Sequence, residues 1–235
     1  SGSRDVCGRF CFFSPAEAVT RLFGARVPDD PVPRYNIAPT QDAPVVRAEP
    51  DGRVLVGLRW GLVPFWAKDP KIGNRMINAR GETVAAKPAF RQAFRKRRCL
   101  VLADGFYEWQ KLAGGKQPWF IAQANGEPFA MAGLWESWRP AEDAAPLETC
   151  TIITTAANDT MRPLHDRMPV ILDQPAIERW LDPAAGPASL EPLLVPAPDG
   201  ILHAVPVSRR VNSPANDEPG LIEPVAVDGK PDQRG

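Results

Sequence analysis

Cys7 stands near the amino end of the chain, in the tetrad Cys7-Gly8-Arg9-Phe10. A cysteine at the first position of a chain is a 1,2-aminothiol. Its α-amine and its thiol can both bond to one aldehyde carbon and close a five-membered ring. The α-amine titrates near 7.7–8.0, against about 10.4 for lysine, so roughly a few hundred-fold more of it is unprotonated at neutral pH. Ser1 to Val6 precede Cys7 and would acylate that nitrogen. The Ser-Gly-Ser opening lacks a methionine and reads as a tag or an upstream extension.

Three further stretches set polar groups among apolar neighbours. Met76-Ile77-Asn78-Ala79-Arg80 brackets a small residue between an amide and a guanidinium. Ala103-Asp104-Gly105-Phe106-Tyr107-Glu108-Trp109 reads as a turn at the end of a buried strand, with Glu108 between two aromatics. Leu164-His165-Asp166-Arg167-Met168-Pro169 holds one of the two histidines. A carboxyl among aromatics is where desolvation raises a pKa and makes a usable acid or base. Each stretch also has a plainer reading. A lone cysteine is commonly a small buried hydrophobe, and Asn78 suits a turn or cap. Glu108 suits a surface ion pair, and His165 with Asp166 and Arg167 suits a structural network. His203, in a strand-like run, reads as structural.

A second pattern interleaves aromatic and basic residues. Trp60-Gly61-Leu62-Val63-Pro64-Phe65-Trp66-Ala67-Lys68 leads through Lys71 and Arg75 to Arg80, with Asp69 the one acid between. Stacking faces beside cations are what sequence-tolerant single-strand binding needs. Arg91, Arg95, Lys96, Arg97 and Arg98 form a second basic run, whose plainer reading is a solvated helix face. The plainer reading of the tryptophans is core packing, stronger for Trp60 than for Trp66, which follows a proline in a loop.

Composition narrows the classes. The chain has 235 residues, enough for one sizeable core. Lys plus Arg equals Asp plus Glu at 28 each, so a nucleic-acid surface must be a local patch and not a global field. No apolar run approaches a bilayer span, and no secretory leader is recognised. Cys7, Cys11, Cys99 and Cys150 are scattered, with no CxxC pair. That disfavours disulfide and structural-zinc frameworks and favours a reducing compartment. No cofactor is called for.

The elements that must position these residues are legible in outline. Ser14-Pro15-Ala16-Glu17 has capping-box spacing and predicts a helix through Phe23. The proline-rich stretch 28–44, with Arg34-Tyr35-Asn36-Ile37-Ala38-Pro39-Thr40, reads as an ordered loop. Strands are expected over 54–60, 99–103, 119–124, 129–135, 149–155, 168–172 and 201–207, and an amphipathic helix over 88–98. Gly114-Gly115 and Asn125-Gly126 signal turns, the second a hairpin. Asp173 caps a helix that carries Pro175 just inside. The stretch 182–200 is expected to pack loosely, and the chain after Pro214 to fray. The fold class is α+β: a single domain over 7–225, with a curved, mostly antiparallel sheet or open barrel and short peripheral helices. Residues 1–6 are read as a tag or extension and 226–235 as a frayed tail.

Taken in order and spacing, these stretches resemble the SRAP family, the SOS-response-associated peptidase-like proteins. The carriers are CGRF at Cys7, RYNIAPTQ at Arg34, RWGLVPFWAKD at Arg59, INARGET at Ile77, ADGFYEW at Ala103, TTAAND with LHDRMPVIL between Thr154 and Leu172, and PVSRRVN at Pro206. The resemblance covers about 7–225. It implies a protein that shields abasic sites in single-stranded DNA by a thiazolidine link from an N-terminal cysteine to the ring-opened sugar aldehyde. Carried over, Cys7 supplies amine and thiol, Asn78 orients the nucleophile, Glu108 is the acid/base, and His165 shuttles a proton. Arg9, Arg80, Arg162 and Trp66 would hold phosphates or stack bases, and Pro39 would shape the cleft. The implied partner is abasic single-stranded DNA, with no membrane and a monomeric protein. The implied place is the cytoplasm and nucleoid of a bacterium or the nucleus of a eukaryote.

The chain departs from the family at its amino end, where Val6 precedes Cys7. With that peptide bond intact, no Schiff base can form at the Cys7 nitrogen. The residues before Cys7 are either a retained extension or are removed by the chain itself. The family's peptidase-like name suits self-cleavage with the Cys7 thiol as nucleophile and Glu108 or His165 as base; a lyase-type activity is a further expectation. Two other classes stay open: a cysteine peptidase acting in trans through Cys7, His165 and Asn78, and a non-covalent single-strand binder using Trp66 and the arginines.

Overall fold

Arg98 to Ala103 form a strand in which every residue is buried. It can be buried on both faces because it is paired on both edges, deep inside a sheet. The computed structural model describes residues 7–227. In chain order the strands are β1 (Phe10–Phe12), β2 (Ala25–Arg26), β3 (Arg34–Ile37), β4 (Asp42–Glu49), β5 (Gly52–Trp60), β6 (Asn78–Arg80), β7 (Arg98–Ala103), β8 (Gly105–Leu112), β9 (Gly115–Gln123), β10 (Phe129–Trp138), β11 (Leu147–Ala156), β12 (Arg167–Pro169), β13 (Ile171–Leu172) and β14 (Leu202–Pro206). The α-helices are α1 (Ala16–Phe23), α2 (Arg91–Lys96), α3 (Gln174–Leu181) and α4 (Pro187–Leu190).

The strands form two sheets. One has the order β14-β9-β8-β1-β3, and the other runs β12-β11-β10-β7-β4-β5-β2, with β13 on β10 and β6 on β11. Most pairings are antiparallel; β2–β5, β5–β11 and β6–β11 are parallel. The α+β class and the curved, mostly antiparallel architecture therefore hold. One large cluster joins Cys7, Phe10, Trp60, Phe94, Leu100, Ile152 and Trp180 into a continuous core. A smaller one, with Cys11, Tyr107, Phe120, Val207, Val211 and Leu221, lies under the late part of the chain.

The chain changes sheet at Asp104-Gly105, between β7 and β8, and this corner aims Glu108. The Asp104 carboxylate accepts from the backbone N–H groups of Phe13 and Ser14 at 2.7 and 2.9 Å, and from the Ser14 hydroxyl at 2.6 Å. A Cβ on Gly105 would sit 2.2 Å from the Phe120 ring and 2.7 Å from the Ile121 carbonyl. Gly105→Ala is therefore expected to cost about 1–3 kcal/mol, by the usual penalty of overpacking, read as a lower denaturation midpoint.

Several expectations need correction. Glu108 lies within the strand β8, because 105–112 pairs with both β1 and β9. The stretch 28–44 is not all loop: it contains β3 and the start of β4, whose pairing partners are far away in sequence. Helix α1 has no side-chain cap, because the Ser14 hydroxyl turns to Asp104. Asn125-Gly126 does not close a hairpin, since β9 and β10 belong to different sheets. The expected strand 168–172 is split into β12 and β13. The stretch 182–200 packs α4 and a following 3-10 turn onto the core through Leu190, which is fully buried.

The segment after Pro214 is held down instead of frayed. Asp217 accepts from the Tyr35 N–H at 2.5 Å and from Arg34 at 2.8 Å, and Leu221 is buried. The readings placed on 1–6, and on the tail beyond residue 227, lie outside the described residues. The capped helix after Asp173 is present, with Asp173 accepting from the Ala176 N–H at 3.0 Å. The Gly114-Gly115 turn closes the β8–β9 hairpin. Trp60 is buried in the core, and its indole N–H donates to the Ile77 carbonyl at 2.9 Å. His203 is exposed on β14, so it is not a core histidine. No helix among the described residues is long and apolar enough to cross a membrane.

Candidate active site around Cys7 and Glu108

Strand β1 pairs with β8, and the Tyr107 N–H donates to the Arg9 carbonyl at 3.0 Å. This pairing lays the chain just before β1 alongside Glu108. The Cys7 backbone N–H donates to Glu108 Oε1 at 2.7 Å. Both residues are buried, Cys7 at 0% and Glu108 at 3% exposure. Cys7 adopts φ 50, a left-handed conformation that a non-glycine residue rarely takes. Such strain persists where surrounding contacts enforce it.

The electrostatics follow from burial. Desolvation pushes the Glu108 carboxyl up to about 8, against the pull of the Cys7 and Trp109 N–H groups and with a further push from Asp166. Glu108 is thus an acid that can keep its proton at neutral pH and release it within reach of the Cys7 nitrogen. Burial, then the Glu108 charge, raises the Cys7 thiol well above its ordinary value. The sulfur is held as a neutral thiol, unlike the lowered-pKa cysteines that attack in thiol proteases.

Asn78 lies on β6, opposite Ile152 of β11. Its amide N–H group donates to the Ile77 carbonyl at 3.1 Å, while its Oδ1 is buried without a hydrogen-bond partner. An unpaired buried acceptor costs about 1–3 kcal/mol, so this oxygen suits a donor brought by a bound molecule. The connection to the rest of the site runs through Trp60: its ring packs edge-on against Phe10 at 5.1 Å, and its indole N–H bonds the carbonyl preceding Asn78.

His165 sits in the loop before β12. Its Nδ1 accepts from the Arg167 N–H at 3.0 Å and lies 3.0 Å from Asp166 Oδ1. The loop meets β8 where Gln110 donates to the Pro163 carbonyl, and Asp166 is close enough to act on Glu108. The loop is anchored by Arg167, which holds Glu82 with two bonds of 2.7 and 2.9 Å and also donates to Thr154. Sequence reading passed over this pair. Arg167 stood in the same short stretch as His165, but only the fold reveals Glu82 as its partner.

The expected DNA-contacting residues fall into two groups. Trp66 is 49% exposed, and Arg80 and Arg162 are exposed beside Glu82 and Asp159. Arg9 is already engaged: its guanidinium donates to Asn36 at 3.2 Å and to the carbonyls of Val211 and Asn212 at 2.6 and 2.9 Å, and it stands over Trp109. It therefore ties the chain just after Cys7 to the late segment as well as carrying charge. Asn36, fully buried, donates to the carbonyls of Val211, Ser213 and Asn216 and fastens β3 to the same segment. Pro39 is half-buried in the turn before Thr40. The second basic run divides: Arg98 is buried and bonds four carbonyls, Arg97 pairs with Glu136, and Arg91, Arg95 and Lys96 stay exposed.

No group of three or more metal-ligating side chains occurs among the described residues. What remains is a nitrogen, a thiol on the same residue, a carboxyl of raised pKa against the nitrogen, and an unpaired amide oxygen. That set suits condensation with a carbonyl. The chain belongs to the SOS response associated peptidase (SRAP) family, whose model matches residues 6–214. It is 44% identical to the abasic site processing protein YoqW of Bacillus subtilis, over 93% of this chain and 99% of that one. It is 40% identical to the abasic site processing protein HMCES of Gallus gallus, over 83% of this chain and 67% of that one. A crystal structure of a Bacteroides thetaiotaomicron protein superposes with a TM-score of 0.85 at 26% identity, covering 94% of this chain and 100% of the other.

Proposed function

We propose that this chain processes abasic sites by forming a covalent thiazolidine link from Cys7 to the ring-opened deoxyribose of single-stranded DNA, once Cys7 is the first residue. The observation that carries this reading is the 2.7 Å contact between the Cys7 nitrogen and the buried Glu108 carboxyl, whose pKa burial pushes up to about 8. The neutral α-amine adds to the sugar aldehyde. Glu108 gives a proton to the departing hydroxyl, so water leaves and an imine forms. The Cys7 sulfur then adds to the imine carbon, and its proton passes to the imine nitrogen, directly or through His165. The net change joins aldehyde and aminothiol and releases one water. The unpaired Asn78 oxygen orients the amine or thiol, and holding the groups at near-attack distance speeds each step. By shielding the lesion the protein acts where DNA is exposed as a single strand, and one chain suffices.

In a chain that carries Ser1 to Val6, the Val6–Cys7 bond must be broken first. In the self-cleavage reading, the Cys7 thiol gives its proton to His165 as the sulfur attacks the Val6 carbonyl, the nitrogen leaves as the free amine with a proton from Glu108, and water hydrolyses the thioester to the Val6 carboxyl group and the Cys7 thiol. The left-handed conformation at Cys7 and the Glu108 contact both favour that step. A cysteine peptidase acting in trans fits less well, because the Cys7 side chain is fully buried and a separate, bulky polypeptide does not reach it.

The test is incubation of Cys7-starting protein with an abasic single-stranded oligonucleotide, followed by a denaturing gel and intact mass. An adduct equal to protein plus DNA less one water supports the reading. Its absence, or equal adduct from protein with a persistent Ser1 start, rejects it. Arg80→Ala is expected to weaken binding similarly for all sequences and to lower the salt slope by about one. Loss of base preference with unchanged affinity would remove the phosphate role.

A further inference from the structure

Asn78 and His165 hang on segments that do not pair with each other. Asn78 opens β6, and His165 stands just before β12. Both strands pair with β11 instead, and they meet it at the same place: Thr154 stands opposite Arg80 of β6 and opposite Pro169 of β12. The Thr154 carbonyl accepts from the Gly81 N–H at 2.8 Å and from the Arg167 side chain at 3.1 Å. A Cβ on Gly81 would come within 3.1 Å of that same oxygen. Glycine lets the chain after β6 run close along β11 and present Glu82 there.

Arg167 links the two segments. Its backbone N–H donates to His165 Nδ1 at 3.0 Å. Its guanidinium crosses β11 and grips the Glu82 carboxylate with both terminal nitrogens, at 2.7 and 2.9 Å. One end of this residue holds the imidazole, and the other holds the chain that follows Asn78. A two-bond guanidinium–carboxylate fork fixes angle as well as distance, which a single contact does not. The Arg167 hydrogen bonds, working against desolvation, keep the Glu82 carboxyl below its ordinary value, so the clasp stays charged at neutral pH.

Glu82 works against a polyanion by its charge. Its side chain is half-exposed and lies 3.8 Å from Arg80, where it offsets part of the cation. A carboxylate so placed weakens attraction for phosphates; what it supplies is geometry.

We propose that Glu82 is a positioning residue for the covalent step: through Arg167 it holds Asn78 and His165 at one separation, and it adds no affinity for DNA. This rests on the abasic-site reading and deepens it.

The experiment uses Cys7-starting protein and an abasic single-stranded oligonucleotide. The single-turnover rate of adduct formation is measured at saturating DNA, and the dissociation constant separately in a Cys7→Ala background. Glu82→Gln keeps the size but opens the charged fork. It is expected to slow adduct formation about 10- to 100-fold, the scale of a misplacement near 1 Å. Affinity should stay within about threefold of the parent or tighten, since an acid is lost. Glu82→Asp, which retains the charge on a shorter arm, should recover part of the rate. In an Arg167→Gln background, Glu82→Gln should slow the rate no further, because the clasp is already open. A parental rate in Glu82→Gln overturns the proposal. So do effects of the two substitutions that multiply, since the residues would then act independently. Affinity weakened more than about tenfold by Glu82→Gln also overturns it, since the pair would then serve binding. Should Glu82→Gln not fold, Glu82→Asp carries the test, and a parental rate for it overturns the proposal. An adduct from the parent with no Glu82 effect sinks this proposal alone, whereas no adduct from the parent sinks the function.

Discussion

In a Cys7-starting protein, Cys7→Ala is expected to bring the gel-stable adduct on abasic DNA below detection, a loss on the order of 10²-fold or more, as follows from losing a tethered second nucleophile. Alanine keeps the α-amine, so an imine still forms. An imine in water reverts; the thiazolidine persists because the sulfur closes the ring. Borohydride should therefore trap an adduct from Cys7→Ala that a denaturing gel does not otherwise retain. Binding to the oligonucleotide should be nearly unchanged, since the substitution removes one buried sulfur and no charge. A stable adduct from Cys7→Ala without reductant would remove the sulfur from the mechanism. Failure to trap any adduct would remove the amine.

Glu108→Gln is the second large effect. A positioned proton donor contributes about 10²- to 10⁴-fold, and the amide can accept the Cys7 N–H but cannot supply a proton. Single-turnover rates should fall by that factor with DNA affinity intact. The amine and the carboxyl titrate as a coupled pair, so the wild-type rate should rise and fall across neutral to mildly alkaline pH. The descending limb, which reports loss of the Glu108 proton, should vanish in the variant. Stability supplies an independent reading. Burial raises the folded carboxyl to about 8, whereas an unfolded glutamate titrates near 4.3. Between those values the folded state holds the extra proton, so the contribution of this group to stability falls as pH rises, by up to about 5 kcal/mol over the whole window. Glu108→Gln should flatten that decline, which denaturation midpoints at pH 5 and pH 9 would show. An unchanged rate, or an unchanged pH dependence of stability, would move the proton donor elsewhere.

The elements that the sequence made legible are those whose signal is local. The apolar run of β7, the Asp173 cap of α3 and the Gly114-Gly115 turn were readable because neighbouring residues alone decide them. The strands that were missed, β1, β2, β3, β4, β6 and β8, take hydrogen bonds from distant segments, such as Phe10 with Ile37 and Asn78 with Ile152. Nothing in the local pattern of 105–112 distinguishes a turn from a strand until β1 and β9 lie on either side.

Residue types were enough to mark the stretches around Cys7, Asn78, Glu108 and His165 and the aldehyde chemistry open to an N-terminal cysteine, because reactivity is a property of the residue. The order of the motifs was enough to suggest the family, and the roles of Asn78, Glu108 and His165 came with that resemblance. Tertiary structure alone decided that the Glu108 carboxyl abuts the Cys7 nitrogen, that burial raises its pKa, that the Asn78 oxygen lacks a partner, and that Arg9 and Asn36 are bound to the segment around 211–216. Those facts depend on burial and on contacts between residues roughly a hundred or more positions apart, and no local sequence pattern encodes either.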